Sequence, residues 1–317
     1  MSEHYIPFGW ATLKYRKGCT IMLATEFLHG QGLGNQLFAY VTTRVLARRL
    51  GYDFGIKGLQ SAGDSRVNKK GFYFMNLDYG KEVPDNLVRY NEYRHALHTD
   101  KRLHTDIRLT DKGLLSIPDN HIIYGNLQSE DYFYDELNLV KDWLKIRIMY
   151  EHHDTNGKNI CVLNFRGGDM IGNAGAYVPA SYWHNAMQHM SEYNPDMEYC
   201  IVTDDVATAN HVLPGIPAYH IDVAWDYVAI KNARNVICTT STFSCFPLWT
   251  SNHLEMCIAP KYWFHHNLSK GWWSLGCSIY SYPTYYMDRE GKLFTPDECR
   301  VEWDEYKKKS NIYDGDE

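Results

Sequence analysis

Between residues 159 and 259 short apolar runs alternate with segments of helical length. Residues 159–165 read as a strand, and from about Ser181 the apolar positions Tyr182, Trp183, Ala186, Met187 and Met190 recur at helical spacing. A strand at 199–203 follows, then a short helix over 206–213 that Pro214-Gly215 stops. A strand at 218–222, a helix over 226–234, a strand at 235–239, a helix opening near Ser244 and a strand at 256–259 complete the series. This alternation predicts an α/β fold with a doubly wound parallel sheet. In such sheets ligands bind beyond the carboxyl ends of the strands.

The first half opens with a predicted strand at 21–27, the glycine-rich loop Gly30-Gln31-Gly32-Leu33-Gly34-Asn35-Gln36 and a long helix to Leu50. Leu37, Phe38, Val41 and Val45 make the inner face of that helix; Arg44, Arg48 and Arg49 suit its negative end, and Gly51 is placed to cap it. Residues 57–120 are less regular, with a strand expected at 72–75 and an amphipathic stretch at 88–97. A strand at 121–125 and a helix over 131–146 follow, and the hydrophilic stretch 151–158 is the expected interdomain linker.

The chain has 317 residues and a formal charge of −6, from 32 Lys+Arg against 38 Asp+Glu. That balance, with no basic stripe, argues against a nucleic-acid binder. No apolar run approaches the roughly 18 residues needed to cross a bilayer, and residues 1–20 lack the apolar centre of a signal peptide. A soluble, cytoplasmic protein is expected. The eight cysteines (Cys19, Cys161, Cys200, Cys238, Cys245, Cys257, Cys277, Cys299) form no CxxC, several sit in strand-like runs, and they are expected reduced. Neither His152-His153 nor His265-His266 has a partner at zinc-ligand spacing, so no metal site is expected.

Three segments carry candidate chemistry. Gly30-x-Gly32-x-Gly34 after a strand invites a dinucleotide reading, but the fingerprint requires GxGxxG and an acid at the end of the second strand, and Asp53 lies near its start. A glycine loop feeding a helix amino end suits an anionic or hydroxyl-rich ligand. Arg166, placed at a strand's end before Gly167-Gly168-Asp169, has the geometry to grip a diphosphate, or else to make a surface Arg–Asp pair. Thr239-Thr240-Ser241-Thr242-Phe243-Ser244 gathers hydroxyls and amides where an anion would sit, and serves equally as a helix cap. Thr203-Asp204-Asp205 closes the strand between them, with helix capping by Asp as the plain explanation.

Six segments stand in a fixed order: Gly32-Leu33-Gly34-Asn35-Gln36-Leu37-Phe38-x-Tyr40; Gly125-Asn126-Leu127-Gln128-Ser129-Glu130-Asp131-Tyr132-Phe133; Asn164-Phe165-Arg166-Gly167-Gly168-Asp169; Val202-Thr203-Asp204-Asp205; Thr240-Ser241-Thr242-Phe243-Ser244-Cys245-Phe246-x-x-Trp249; and Ala259-Pro260-Lys261-Tyr262-Trp263-Phe264. In this order and spacing they resemble the α-1,2-fucosyltransferase family (glycosyltransferase family 11), a branch of the α-1,2/α-1,6/protein-O-fucosyltransferase superfamily. The resemblance departs from the family's HxRRGD at two positions: Asn164 stands for His, and Gly167 for the second Arg.

The resemblance implies a GT-B-like fold of two Rossmann-like domains. Residues 1–20 are then an N-terminal extension, 21–150 the acceptor-side domain, 151–285 the donor domain and 286–317 a C-terminal tail. It implies transfer of L-fucose from GDP-β-L-fucose to a galactose-type hydroxyl in α-1,2 linkage, with inversion and with neither metal nor cofactor. Arg166 would hold the donor diphosphate, with Gly32, Gly34, Asn35, Gln36, Asn164, Asp204, Ser241, Thr242, Phe243 and Ser244 around the donor. Asp226, twelve residues before Cys238, resembles the carboxylate that reads guanine; its plain alternative is a helix N-cap. Glu26, His29 and Asp169 stay open as the general base. The expected partners are a sugar nucleotide and a glycan acceptor, with no nucleic acid and no membrane span. The two departures leave two alternatives, a transferase of another GDP-sugar and a non-catalytic sugar- or nucleotide-binding relative.

Overall fold

The computed structural model describes residues 21–63, 71–92, 97–100, 105–269, 271–273 and 275–310. The N-terminal extension over 1–20 and the acidic Asp314-Gly315-Asp316 lie outside the described residues. The first half runs β1 (Met22–Glu26), α1 (Leu33–Leu50), β2 (Asp53–Lys57), β3 (Val88–Asn91), β4 (Leu97–Asp100), β5 (Thr105–Arg108), β6 (His121–Tyr124) and α2 (Leu137–Trp143). Its sheet is parallel, in the order β2-β1-β6-β3, with β4 and β5 a separate hairpin. Leu37, Phe38, Val41 and Val45 of α1 are fully buried against this sheet and the second half, and α1 ends at Gly51, whose φ of 72° is left-handed and costs glycine nothing.

Two expectations fail in this half. Residues 72–75 form no strand; Phe72, Phe74 and Met75 are buried in a turn, and their pairing is limited to an isolated antiparallel bridge between Met75 and Ile146. The helix expected over 131–146 is broken into 3₁₀ turns Glu130–Tyr132 and Tyr134–Glu136 before α2. The cause is Phe133, held at φ −145° with its ring packed on Phe38, Phe246 and Trp249, a backbone angle no helix can pass through.

The second half runs β7 (Ile160–Phe165), α3 (Ala180–Tyr193), β8 (Glu198–Thr203), α4 (Val206–Val212), β9 (Ala218–Tyr219), α5 (Val223–Asn232), β10 (Asn235–Cys238), α6 (Cys245–Thr250), β11 (Met256–Pro260), β12 (Tyr285–Met287), β13 (Leu293–Phe294) and α7 (Pro296–Ser310). The sheet order is β13-β12-β11-β10-β7-β8-β9, and every pair is parallel except β12–β13. Neighbouring residues alternate between two cores: Val162, Val236 and Cys238 face α5 and α6, while Cys161, Leu163 and Ile237 face α3. That alternation makes the sheet doubly wound, as its apolar runs predict. Two strands beyond the five expected come from 285–294, so the start of the stretch set apart as a tail is sheet.

The first of these cores continues across both halves. Phe38 meets Phe246 with ring centroids 4.9 Å apart and Trp249 at 5.6 Å, joining α1 to α6. The stretch 151–158 is tied down as well, since the buried Thr155 hydroxyl donates to the Ala229 carbonyl at 2.6 Å. Among the described residues no helix is long and apolar enough to cross a membrane.

Candidate functional site

In the second sheet the chain starts at β7 and winds outward in both directions; in the first it runs from β1 to the β2 edge, crosses to the far edge at β3 and returns to β6 beside β1. The strand order therefore reverses between β1 and β6 in one sheet and between β7 and β10 in the other. Such reversals splay the connections apart and open a crevice at the carboxyl ends of the strands. Here the two crevices share one cleft of about 940 Å³. From the first half it is lined by Gly30, Gly32–Asn35 and Gln128; from the second by Asn164, Arg166, Asp204, Asp226 and Thr240–Phe243.

The glycine loop reaches the cleft as the amino end of α1. Gly32 is the N-cap and offers no side-chain cap, so the first-turn amides, with the positive end of the 18-residue helix dipole, lie at the cleft. Gly34 has a packing role. A Cβ there would come within 2.4 Å of the Thr242 backbone, so only glycine lets α1 touch the second half at this point. Asn35 fastens the same contact: its Oδ1 accepts from Gln128 Nε2 at 2.7 Å and from the Thr242 hydroxyl at 2.8 Å. With the oxygen committed, its Nδ2 hydrogens are what the side chain has to offer a ligand.

At the end of β7, Arg166 Nε lies 3.1 Å from Asp204 Oδ2, and the other oxygen of Asp204 accepts the Gly167 amide at 3.1 Å. Asp204 therefore aims Arg166 instead of capping a helix. Its neighbour Asp205 takes the capping role, accepting from the Thr208 amide at 3.0 Å, and the bonds to Thr208 hold its carboxyl below the usual range. A Cβ at Gly167 would meet Asp205 Cβ at 2.7 Å, and one at Gly168 would meet Asp204 Oδ2 at 2.6 Å. The glycine standing where the family has its second Arg is thus a packing requirement of this loop. Asn164, the other departure, is 5% exposed, lines the cleft, and its Oδ1 has no hydrogen-bond partner.

The hydroxyl-rich segment after β10 divides by chemistry. Thr240 donates to the Ala176 carbonyl, Thr242 to Asn35 and Ser244 to the Ser241 carbonyl. Ser241 instead accepts, from the Phe243 amide at 3.2 Å, which leaves its hydroxyl hydrogen for a ligand. Its capping role and a donor role are compatible. Across the cleft wall Asp226 is buried, and burial raises its carboxyl to about 6, with His220 pulling the other way. His220 Nδ1 lies 2.6 Å from Asp226 Oδ2, while Oδ1 has no hydrogen-bond partner. Asp222, not Asp226, is the N-cap of α5, accepting from the Trp225 amide at 2.8 Å.

Four residues named from the sequence do not line the cleft. Gln36 is a buried strut, donating to the Gln31 and Ser61 carbonyls and accepting the Gly63 amide. Ser244 is buried beneath Ser241. Glu26 and His29 are exposed, at and just after the end of β1, and are not among the lining residues, although His29 directly precedes the lining Gly30. Asp169 lies in the turn Gly168–Met170, and its side chain is outside those described. The cleft gains Arg108, His220 and His265, which sequence reasoning missed. Arg108 arrives from a hairpin with no sequence signature; His220 had one available signal, a polar residue closing a strand just before a capped helix. Among the described residues no group of three or more His, Cys, Asp or Glu is arranged to hold a metal ion.

No protein-family model matches this chain, and no curated protein matches it. Among solved structures the chain is similar to NodZ α-1,6-fucosyltransferase soaked with GDP-fucose, at 13% identity and a TM-score of 0.43, over 77% of this chain and 96% of that one. It is also similar to the fucosyltransferase NodZ from Bradyrhizobium, at 12% identity and a TM-score of 0.43, over 74% and 94% of the two chains. A third likeness is to POFUT1 in complex with GDP-fucose, at 10% identity and a TM-score of 0.40, over 76% and 98%.

Proposed function

We infer that the protein is a glycosyltransferase that takes its sugar from a GDP-sugar, with GDP-β-L-fucose the donor and a galactose-type hydroxyl of a glycan the acceptor, joined in α-1,2 linkage with inversion. The observation that carries this reading is convergence: motif segments spread from Gly32 to Phe264 in the sequence meet around one cleft at the ends of two parallel sheets. In this reading the diphosphate lies between the amino end of α1 and Arg166, with Arg108 adding positive charge and Ser241 donating a hydrogen bond. Charge developing on the departing GDP is then met by groups fixed in advance, which is where most of such a rate enhancement originates. Asp226 accepts the imino and amino hydrogens of guanine, as a buried carboxylate with an unpartnered oxygen is fitted to do. No metal is assigned to the mechanism.

The test is GDP release from a set of GDP- and UDP-sugars offered with a panel of β-galactosides, with and without EDTA. Release should be fastest with GDP-fucose, depend on the acceptor and survive the chelator. Preference for a UDP-sugar overturns the reading, and a strict divalent-metal requirement overturns its metal-free form.

A further inference from the structure

We propose that His220 is a positioning residue for nucleobase recognition, holding Asp226 as an ionised carboxylate with Oδ1 turned to the ligand throughout the neutral pH range. The proposal rests on reading the cleft as a GDP-sugar site. Its basis is the geometry of one pair. His220 follows β9 and precedes α5, its Nδ1 is 2.6 Å from Asp226 Oδ2, and both residues line the cleft. The Asp226 side chain is 7% exposed and that of His220 31%, so the carboxylate is the deeper member of the pair. An ionised carboxylate only accepts, so Nδ1 carries the hydrogen of this bond.

A carboxyl this deep is pushed toward its neutral form. Neutral, it would present an O–H where a guanine edge needs an acceptor, and the N–H groups of the base would be left facing a donor. The groups around the pair decide which form prevails. Burial raises Asp226, and Asp222 at the N-cap of α5 raises it further; His220 and the Ile221 amide lower it. His220 is itself raised by its bond to Asp226, opposed by burial, with Asp204 at the end of β8 and Asp222 adding to the rise. Arg166, from the end of β7, is paired with that Asp204. Remove the imidazole and the charges left close to Asp226 are acidic. The interaction also occupies Oδ2 and so leaves Oδ1 as the buried carboxylate oxygen without a hydrogen-bond partner.

The experiment is calorimetric titration of the full chain with GDP from about pH 5.5 to 8.5, repeated with His220→Ala, His220→Gln and Asp226→Asn. In the parent, affinity should fall as pH drops through the titration of the pair. In His220→Ala the midpoint of that fall should move up by about one pH unit or more, weakening binding at pH 7 by about twofold or more while affinity near pH 8.5 stays within about twofold of the parent. Asp226→Asn should bind weakly with a flattened profile. A folded His220→Ala that binds GDP with an unmoved midpoint overturns the proposal and leaves the GDP-sugar reading intact. His220→Gln, which keeps a donor but cannot ionise, should shift less than His220→Ala; should the alanine variant not fold, His220→Leu, which removes the donor, must show the upward shift, and an unmoved midpoint in it overturns the proposal equally. A parent chain that binds no GDP at all overturns both.

Discussion

Arg166 carries the clearest residue-scale expectation. Held by Asp204 at the end of β7, it is pre-aimed into the cleft, and Arg166→Ala should lower turnover by about 10²-fold or more, read with circular dichroism unchanged. A loss below about threefold would remove it from the role. Asp226 gives an expectation of opposite sign for stability. Its folded carboxyl is raised from 3.8 to about 6, so the folded state holds an extra proton and the parent loses stability as pH rises through that interval. Asp226→Asn still accepts from His220 and sheds the cost; thermal melts at pH 8 should show a gain of about 1–3 kcal/mol that vanishes below about pH 4, alongside weakened nucleotide binding. Arg166, Asn164 and the Ser241 segment were legible because each ends an apolar run, and the end of a buried parallel strand is a fixed address in such a fold. What sequence could not distinguish is which polar atoms the fold itself consumes. Gln36 and Ser244 stand in the same motifs as Asn35 and Ser241, yet their hydrogen bonds are spent on backbone carbonyls.

At the scale of elements the contact between α1 and the Thr242 turn governs the cleft. Gly34→Ala would drive a methyl into the Thr242 carbonyl group at 2.4 Å, and because both partners are backbone the helix must shift. A destabilisation of about 1–3 kcal/mol in denaturant melts is expected, with donor affinity falling as well, since Asn35 of α1 and Ser241 of the turn flank this contact. Gly32→Ala, at a position where a Cβ meets nothing within 4 Å, is the matched control and should be close to neutral for stability. The parallel strands of the second half were readable because burial on both faces makes each a short apolar run bounded by turns. The first half was not, since β3 is a partly exposed edge strand and Phe72–Met75 is apolar while pairing only through the single bridge Met75–Ile146. The broken helix before α2 escaped for another reason: Tyr132, Phe133, Val140 and Leu144 are all buried, as a helix face would be, but Phe133 reaches its neighbours from a non-helical backbone.

Across the whole molecule the two sheets behave as one packing unit. Phe38, Phe133, Phe246, Trp249 and Tyr280 form a continuous aromatic cluster between them. A second tie fixes the far side: buried Glu130 accepts from the Ser281 amide at 2.8 Å, from its hydroxyl at 2.6 Å, and from Arg300 of α7 at 2.9 Å. Thermal unfolding should therefore be a single transition with equal calorimetric and van't Hoff enthalpies, and two resolved transitions would show the halves to be independent. Arg300→Ala should cost about 1–3 kcal/mol, because it strips a charged partner from a carboxylate that burial already pushes upward.

The span of that tie also has a consequence in time. Glu130 and Arg300 are 170 positions apart, so during synthesis at about 5–20 residues per second the carboxylate leaves the ribosome roughly 10–30 s before its partner exists. Phe38 waits longer still for Trp249 than for the strands of its own sheet. The nascent first half must persist through this interval with an uncovered aromatic face, a target for chaperones that hold emerging chains, and slowing translation over the final helix should lower the yield of folded protein.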